Sequence, residues 1–214
     1  MAVTYCPLCN SAVVFDRRVD GMILSFGVSG KLRNSDMVMY DRETESWWQQ
    51  FDGVGIVGAL TGTELLKLVN WMEPLSAFTA RNGEQNIMQK PGLGLRPYGR
   101  NPYGGYDTSN RPFLYRGENP PHGISPLARV IRVDDRAWPL ERFAGQRVIE
   151  EAGLRLEWTS DMASALDTDS IAKGRDVGAI RVFDARSGKD VVHDVVFAFA
   201  FHAFVPDGQW MLGK

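Results

Sequence analysis

Short hydrophobic segments alternate with turn-forming residues along both ends of this sequence. The segments are rich in β-branched and aromatic residues, and polar turns such as Asp20-Gly21, Ser29-Gly30 and Asn34-Ser35-Asp36 separate them. Segments of this length and spacing are typical of antiparallel β-hairpins, in which successive side chains point to opposite faces. The pattern predicts strands at residues 3–5, 12–15, 22–26, 37–40, 46–49, 129–133, 154–158, 179–183 and 191–204.

A helix is predicted between the two groups of strands, over residues 61–72. Thr61 and Glu64 have the spacing of a capping box, which satisfies backbone N–H groups at the start of a helix. Apolar residues then recur at helical spacing until Pro74 stops the pattern, at Leu65, Val69 and Met72. A short helix is also predicted near residues 140–143. The sequence therefore predicts an α+β fold, mostly β, built as a meander of antiparallel hairpins with one or two short helices.

Residues 81–126 differ from the rest of the chain in composition. They are rich in Gly, Pro, Asn and Tyr, and a loop of this length inside a compact chain is usually functional. Because large aromatic side chains gain free energy on burial, we expect an ordered loop that packs across the surface. A chain of 214 residues buries roughly 70% of its unfolded surface, so we expect a single domain over residues 1–214.

Composition and charge argue against several functional classes. The chain has 24 Lys and Arg against 26 Asp and Glu, a net charge of −2, and so lacks the positive field with which proteins bind nucleic acid. No apolar segment reaches the ~18 residues that a membrane span needs. Gly53, Gly55 and Gly58 match the spacing of a dinucleotide fingerprint without its βαβ context, so no nucleotide is expected. The first residues do not resemble a signal peptide, which favours a cytoplasmic protein, or an extracytoplasmic one if an upstream segment is missing.

The strongest chemical signal is a Cys-x-x-Cys sequence, Tyr5-Cys6-Pro7-Leu8-Cys9-Asn10, which holds the only two cysteines of the chain. Thiol redox enzymes place such a pair at a helix N-terminus, whereas metal-binding knuckles place it in a tight turn between strands. Strand-like segments flank this pair, and Asn10 tolerates the left-handed conformation that such turns often need. The sequence therefore predicts a β-hairpin turn whose thiols bind a metal ion or form a redox pair.

Further metal ligands would have to come from elsewhere in the chain. A closed structural zinc site needs four ligands, and the sequence has no second cysteine pair. His202 and His122 are expected to complete the set around a zinc or copper ion, with an open coordination position if only one of them binds.

Other polar residues are expected to lie on the surface. His193, near the end of a hydrophobic segment, is expected to be exposed. Solvated carboxylates in hairpin turns are expected at Asp36, Asp41, Glu43 and Glu45.

These residues support three functional hypotheses. In the first, Cys6 and Cys9 form a metal-dependent or redox centre, and they are the catalytic groups if the protein is an enzyme. In the second, the same thiols form a metal-free thiol–disulfide oxidoreductase. In the third, the protein is a non-catalytic binding module whose aromatic surface comprises residues 98–106 and 47–48. The partner is an unidentified small molecule or redox protein. Inert buried cysteines, or a structural disulfide, are the alternative to chemistry at the pair.

Successive segments of the chain, taken in order, resemble one known family. They are residues 4–12 (TYCPLCNSA), 26–32 (FGVSGKL), 37–50 (MVMYDRETESWWQQ), 101–107 (NPYGGYD) and 201–207 (FHAFVPD). Together they are similar to the prokaryotic domain-of-unknown-function family 3179. Members of that family often carry an export signal and a segment upstream of the Tyr-Cys-Pro sequence. Some relatives are described as selenoproteins, so the resemblance implies redox or soft-metal chemistry at Cys6 and Cys9.

Overall fold

The computed structural model describes residues 1–83, 85–90, 92, 97–98 and 100–213. Two α-helices lie within these residues, α1 (Leu75–Asn82) and α2 (Ala198–Phe204), with 3₁₀ helices at Tyr106–Thr108, Leu140–Phe143 and Ile171–Lys173. The strands are β1 (Ala2–Cys6), β2 (Ser11–Phe15), β3 (Arg18–Val19), β4 (Met22–Ile23), β5 (Phe26–Arg33), β6 (Asp36–Asp41), β7 (Trp47–Gln49), β8 (Val54–Val57), β9 (Lys67–Leu68), β10 (Arg129–Val133), β11 (Arg136–Pro139), β12 (Val148–Glu151), β13 (Leu154–Thr159), β14 (Ala179–Asp184), β15 (Asp194–Phe197) and β16 (Gln209–Trp210). The predicted α+β, mostly β fold class is confirmed.

Two antiparallel sheets form the N-terminal part of the chain. β1, β2 and β9 make one sheet, and β5 to β8 make a four-stranded meander. The β1–β2 hairpin is closed by residues 7–10, and Cys6 pairs with Ser11 across it. The β5–β6 hairpin turns at Asn34 and Ser35, whose φ angles of 49° and 63° are both positive, as in the type I′ turns that match strand twist.

The C-terminal part adds a four-stranded and a three-stranded sheet, and β3 and β4 form a separate hairpin in the N-terminal part. One sheet has the order β15-β10-β11-β16, in which β11 and β16 pair in parallel, and the other has the order β12-β13-β14. The backbone N–H of Phe197 in β15 donates a hydrogen bond to the carbonyl of Cys9, 2.8 Å away. This bond attaches the β1–β2 turn to the C-terminal sheet.

The hydrophobic core around that junction is dominated by aromatic side chains. Phe197, Phe199 and Phe201 of β15 and α2 are fully buried, and they belong to the same cluster as Cys6 and Cys9. The ring of Phe51 stacks on Phe204 at 4.7 Å between centroids, and burial of one such side chain contributes roughly 1.5–3 kcal/mol. The cysteine turn is therefore inside the core rather than on the surface.

The helix predicted over residues 61–72 is wrong. Residues 67–68 form β9 instead, which pairs with Val14 and Phe15 of β2, and α1 begins after Pro74. Pro74 has φ −61° and no backbone N–H to satisfy, so it suits the start of a helix as well as its end. Leu65 is buried beside Phe15 in the core of the β sheets, and this packing outweighs its helical spacing.

The strand predicted over residues 191–204 is correct only in its middle. β15 covers residues 194–197 and the chain then forms α2, which carries His202. Residues 22–26 are likewise divided between β4 and the start of β5. Ser29-Gly30 is a β-bulge within β5 rather than a turn between strands, and Gly30 has φ 77°. The predicted short helix near residue 140 is confirmed as a 3₁₀ helix.

The Gly- and Tyr-rich loop of residues 81–126 is described only in part, because residues 84, 91, 93–96 and 99 lie outside the described residues. Its described part includes the 3₁₀ helix at Tyr106–Thr108. Within the described ranges, no helix has both the length and the hydrophobicity to cross a bilayer. The organisation of residues 1–214 as a single domain stays a prediction.

Candidate metal centre

The Cys-x-x-Cys sequence forms the turn of the β1–β2 hairpin, as predicted. The backbone N–H of Asn10 donates to the carbonyl of Pro7 at 3.3 Å, and Asn10 has the expected left-handed conformation, with φ 53°. The side-chain amide of Asn10 donates to the carbonyl of Val195 at 2.8 Å. Because both the turn and its flanking asparagine bond to β15, the backbone that carries the two thiols is held rigidly.

The carboxylate of Asp36 lies beside the thiols of Cys6 and Cys9. The sulfur atoms of Cys6 and Cys9 and a carboxylate oxygen of Asp36 all lie within 4.8 Å of one another, and the three residues are 1%, 0% and 0% exposed. Both cysteines are free thiols. We call these three residues the Cys-Cys-Asp group. Asp36 is the first residue of β6, directly after the Asn34-Ser35 turn, so two separate hairpins supply the group.

The expectation that Asp36 and Asp41 are solvated is wrong, because both carboxylates are fully buried. Asp41 accepts hydrogen bonds from the indole N–H of Trp48 at 2.9 Å and from Thr44. Trp48 is itself 0% exposed and so is not part of a binding surface, which removes it from the binding-module hypothesis. Glu43 and Glu45 are exposed, as expected.

Asp36 is hydrogen-bonded on one oxygen and unpartnered on the other. Its Oδ2 accepts hydrogen bonds from the side-chain amide of Gln49 and, at 3.0 Å, from the backbone N–H of Phe51. Its Oδ1 is buried, and no described residue gives it a hydrogen bond of normal geometry. An unpartnered buried carboxylate oxygen is costly. Beside two thiols, it is a ligand atom available to a cation.

The electrostatics of the group disfavour negative charge on it. Burial raises the pKa of Asp36 from 3.8 to about 6, although hydrogen bonds from Gln49 and Phe51 and the nearby thiols of Cys6 and Cys9 partly oppose this. Burial, with Cys6 and Asp36 as neighbours, also raises the pKa of the Cys9 thiol well above its ordinary value. Without a cation, burial therefore disfavours the ionised forms of Asp36 and Cys9.

Tyr106 in the Gly- and Tyr-rich loop packs over the turns that supply the group. Its hydroxyl donates to the carbonyl of Leu8 at 2.9 Å and accepts from the backbone N–H of Phe113 at 3.2 Å, and burial raises its pKa to about 12. The hydroxyl of Ser35 donates to the carbonyl of Phe113, and the Cys9 thiol lies 3.6 Å from the carbonyl of Ser35. Residues 106–113 thus bridge the cysteine turn and the β5–β6 turn.

The histidines lie apart from the Cys-Cys-Asp group. Neither His122 nor His202 is among the side chains that the described residues bring together with Cys6 and Cys9, and their role as ligands stays a prediction. His122 is exposed in a turn, with φ 61°. His202 is half-buried on α2, and its Nδ1 has no hydrogen-bond partner among the described residues. His193 is buried rather than exposed, with Nδ1 2.8 Å from the carbonyl of Val191.

Sequence reasoning missed Asp36 as a member of the site. The only local signal is its position at the first residue of a Met-Val-Met strand, directly after a tight turn. That position is equally typical of a solvated turn carboxylate, so the sequence alone does not distinguish the two. Gly53, Gly55 and Gly58 flank or lie within β8 and no helix follows them directly, so they do not form a dinucleotide-binding turn.

Comparison with known proteins identifies a family for this chain but no individual curated protein or solved structure. A family model described as "Protein of unknown function (DUF3179)" matches residues 1–208. No curated protein matches the chain, and no solved structure does. What the site does must therefore be argued from its own geometry.

Proposed function

This chain belongs to the DUF3179 family, and we propose that it is a metal-binding protein in which Cys6, Cys9 and Asp36 hold one divalent ion of the zinc type. The observation that carries this proposal is the convergence of three buried acidic ligand atoms within 4.8 Å. Proteins avoid placing acidic groups together in an apolar core unless a cation or a partner compensates them. Among the described residues, no His joins this group and no Lys or Arg forms a salt bridge with Asp36, so the compensating charge would come from a metal ion.

The ligand types favour zinc over copper. Two thiolates and one carboxylate are ligands that Zn²⁺ accepts in tetrahedral geometry, and a site with three protein ligands retains one position for water or another small ligand. Copper(I) prefers soft sulfur and imidazole ligands, and the oxygen of Asp36 adds nothing to such a site. The buried Oδ1 of Asp36, which lacks a hydrogen bond, supports a metal that binds oxygen as well as sulfur.

A metal-free thiol–disulfide oxidoreductase has less support. The attacking cysteine of such an enzyme needs a low pKa, which a helix N-terminus or a nearby cation provides. Here the pair is in a β-turn, both thiols are buried, and the pKa of Cys9 is raised by burial and by its acidic neighbours. The same features suit metal binding, because a bound cation stabilises both thiolates and the carboxylate together.

Titration of the reduced, chelator-treated protein with Co²⁺ tests the proposal. Cobalt replaces zinc in tetrahedral thiolate sites and gives thiolate-to-metal charge-transfer and d–d absorption bands. We expect these bands to saturate at one equivalent and to disappear when Zn²⁺ is added. Elemental analysis of protein purified without chelator should find zinc near one ion per chain.

Three variants identify the ligands, and one is a matched control. Cys6→Ser and Cys9→Ser should remove the charge-transfer bands or halve them, and Asp36→Asn should weaken Co²⁺ binding by at least about tenfold, as expected when a ligand that fixes the metal is lost. Asp41→Asn changes a second buried carboxylate of the same strand that is remote from the thiols, and should leave Co²⁺ binding unchanged. Wild-type protein that binds neither metal would refute the metal centre. Equal effects of the two Asp variants would refute the role of Asp36.

A further inference from the structure

A second candidate site is a cleft of about 710 Å³ beside the β12–β14 sheet. This volume is in the range of small-molecule sites in proteins. Leu127, Leu140 and Phe143 give the cleft an apolar wall, and Trp158 lies at one side of it. The indole N–H of Trp158 donates to the carbonyl of Val177 at 3.1 Å, so the ring has a fixed orientation.

The guanidinium of Arg147 is stacked on this fixed ring. Its guanidinium carbon lies 4.1 Å from the centre of the Trp158 ring, and among the described residues no carboxylate forms a salt bridge with it. The stacked position holds the guanidinium in place while its N–H groups remain available at the edge. A planar, preorganised guanidinium of this kind is well suited to bind a carboxylate, sulfonate or phosphate group.

The other charged groups that line the cleft are already engaged or point to water. Arg129 and Arg175 both bind Asp107, at 2.8 and 3.0 Å. The carboxylate of Asp176 accepts backbone N–H groups from three residues, at distances of 2.9 to 3.1 Å, and Glu141 is exposed. Among the described residues, Arg147 is therefore the one arginine of this cleft that forms no salt bridge, although its charge also helps to lower the pKa of Asp176.

We propose that this cleft binds a small organic anion, with the acidic group on Arg147 and an apolar, preferably flat, body against Leu127, Leu140 and Phe143. The apolar wall supplies most of the contact area, and Arg147 selects a molecule with one negative group over a neutral one of the same shape. This site is separate from the Cys-Cys-Asp group and does not depend on metal binding there.

Fluorescence titration with two matched probes tests the proposal. Anilinonaphthalene sulfonate has a flat apolar body with one sulfonate, and N-phenyl-naphthylamine has the same body without the charge. We expect the wild-type protein to bind the sulfonate probe saturably with one site. Arg147→Gln should weaken that binding about tenfold or more, the range for a lost charge-assisted hydrogen bond, and should weaken the neutral probe less than about twofold.

Arg136→Gln is the matched control, because Arg136 also lies over a tryptophan but lines no part of the cleft. Its guanidinium carbon is 5.6 Å from the ring centre of Trp138. This variant, and Asp36→Asn at the metal centre, should bind the sulfonate probe as the wild type does. Equal binding by the Arg147 and Arg136 variants, equal weakening of both probes, or no saturable binding to the wild type would each overturn the proposal. Thermal melts of every variant verify that the folded protein is being titrated.

Discussion

Replacing Asp36 by asparagine should weaken metal binding and yet stabilise the metal-free protein at neutral pH. Burial raises the pKa of this carboxyl from 3.8 to about 6, so at pH 7.5 the folded protein holds an ionised carboxylate in its core. The unfolded chain ionises the same group at its ordinary pKa. A difference of about two pKa units corresponds to about 3 kcal/mol of lost stability. Asparagine has nearly the same shape, and its oxygen can still accept hydrogen bonds from Gln49 and Phe51.

The same pKa difference gives the effect a definite pH dependence. Below pH 3.8 the carboxyl is protonated in both states and does not reduce stability. As the pH rises from about 4 to about 6.5, the unfolded chain releases this proton before the folded protein does, so the metal-free wild type loses stability relative to Asp36→Asn. Above that range the difference is constant. The asparagine variant lacks this group and should show no corresponding loss.

Urea denaturation at pH 4.5, 5.5 and 7.5, with chelator and reductant present, measures this difference. Asp41→Asn is the control. Burial would raise the pKa of Asp41, but hydrogen bonds from Trp48 and Thr44 outweigh it and hold the pKa below its ordinary value, so this variant should be less stable than the wild type at pH 7.5. If Asp36→Asn is no more stable than the wild type at pH 7.5 without metal, Asp36 is not an uncompensated charge and the argument from burial is wrong.

Three further outcomes can be measured on the same protein. Both thiols of the folded, metal-free protein should react with iodoacetamide at least about 100-fold more slowly than in urea, because both are buried, and zinc should slow the reaction further. Tyr106→Phe removes the hydrogen bond to Leu8, so it should lower the unfolding free energy by about 1 kcal/mol and speed the release of bound Co²⁺ to a chelator, whereas Tyr115→Phe should leave that release unchanged. Gly178→Ala should destabilise the fold by about 2 kcal/mol in urea denaturation, because Gly178 has φ +70° and a Cβ there would lie 2.0 Å from the indole nitrogen of Trp158.

Alternating segments bounded by turns were predictable because the signal is local. Residue types within a few positions predict the hairpin at Asp20-Gly21 and the strands β6, β7, β10, β13 and β14. They did not predict β8, β11, β12 or β16. The Cys-x-x-Cys turn was predictable for the same reason, since strand-like flanks and Asn10 specify it. Where the local signal and the tertiary packing favour the same structure, a single sequence is enough to predict the strand or turn.

The two largest errors in the element assignment occur where hydrophobic spacing is ambiguous. Residues 191–204 are nearly all apolar, and a fully buried segment has no polar face to reveal its period. The chain changes from β15 to α2 at Ala198 without any sequence break, and all residues from 196 to 201 are buried. Residues 61–72 show the reverse case, in which helical spacing over three positions is outweighed by strand pairing with β2.

The Cys-Cys-Asp group could not be assembled from the sequence because its members belong to different sheets. Cys9 and Asp36 are brought together by the packing of the β1–β2 hairpin against the β5–β6 turn, and no spacing rule connects them. The burial of these side chains is likewise a result of tertiary packing, which a short sequence segment does not reveal. Asp36 is disfavoured in its charged form by burial, so an apolar residue at this position would give a more stable metal-free protein at neutral pH. The thiol of Cys9, whose pKa burial raises, would have to lose its proton when a metal binds. A carboxylate that lowers the stability of the empty site and is stabilised by a cation would couple metal binding to folding. This coupling, rather than the presence of two cysteines, is the physical basis for the metal site that we propose.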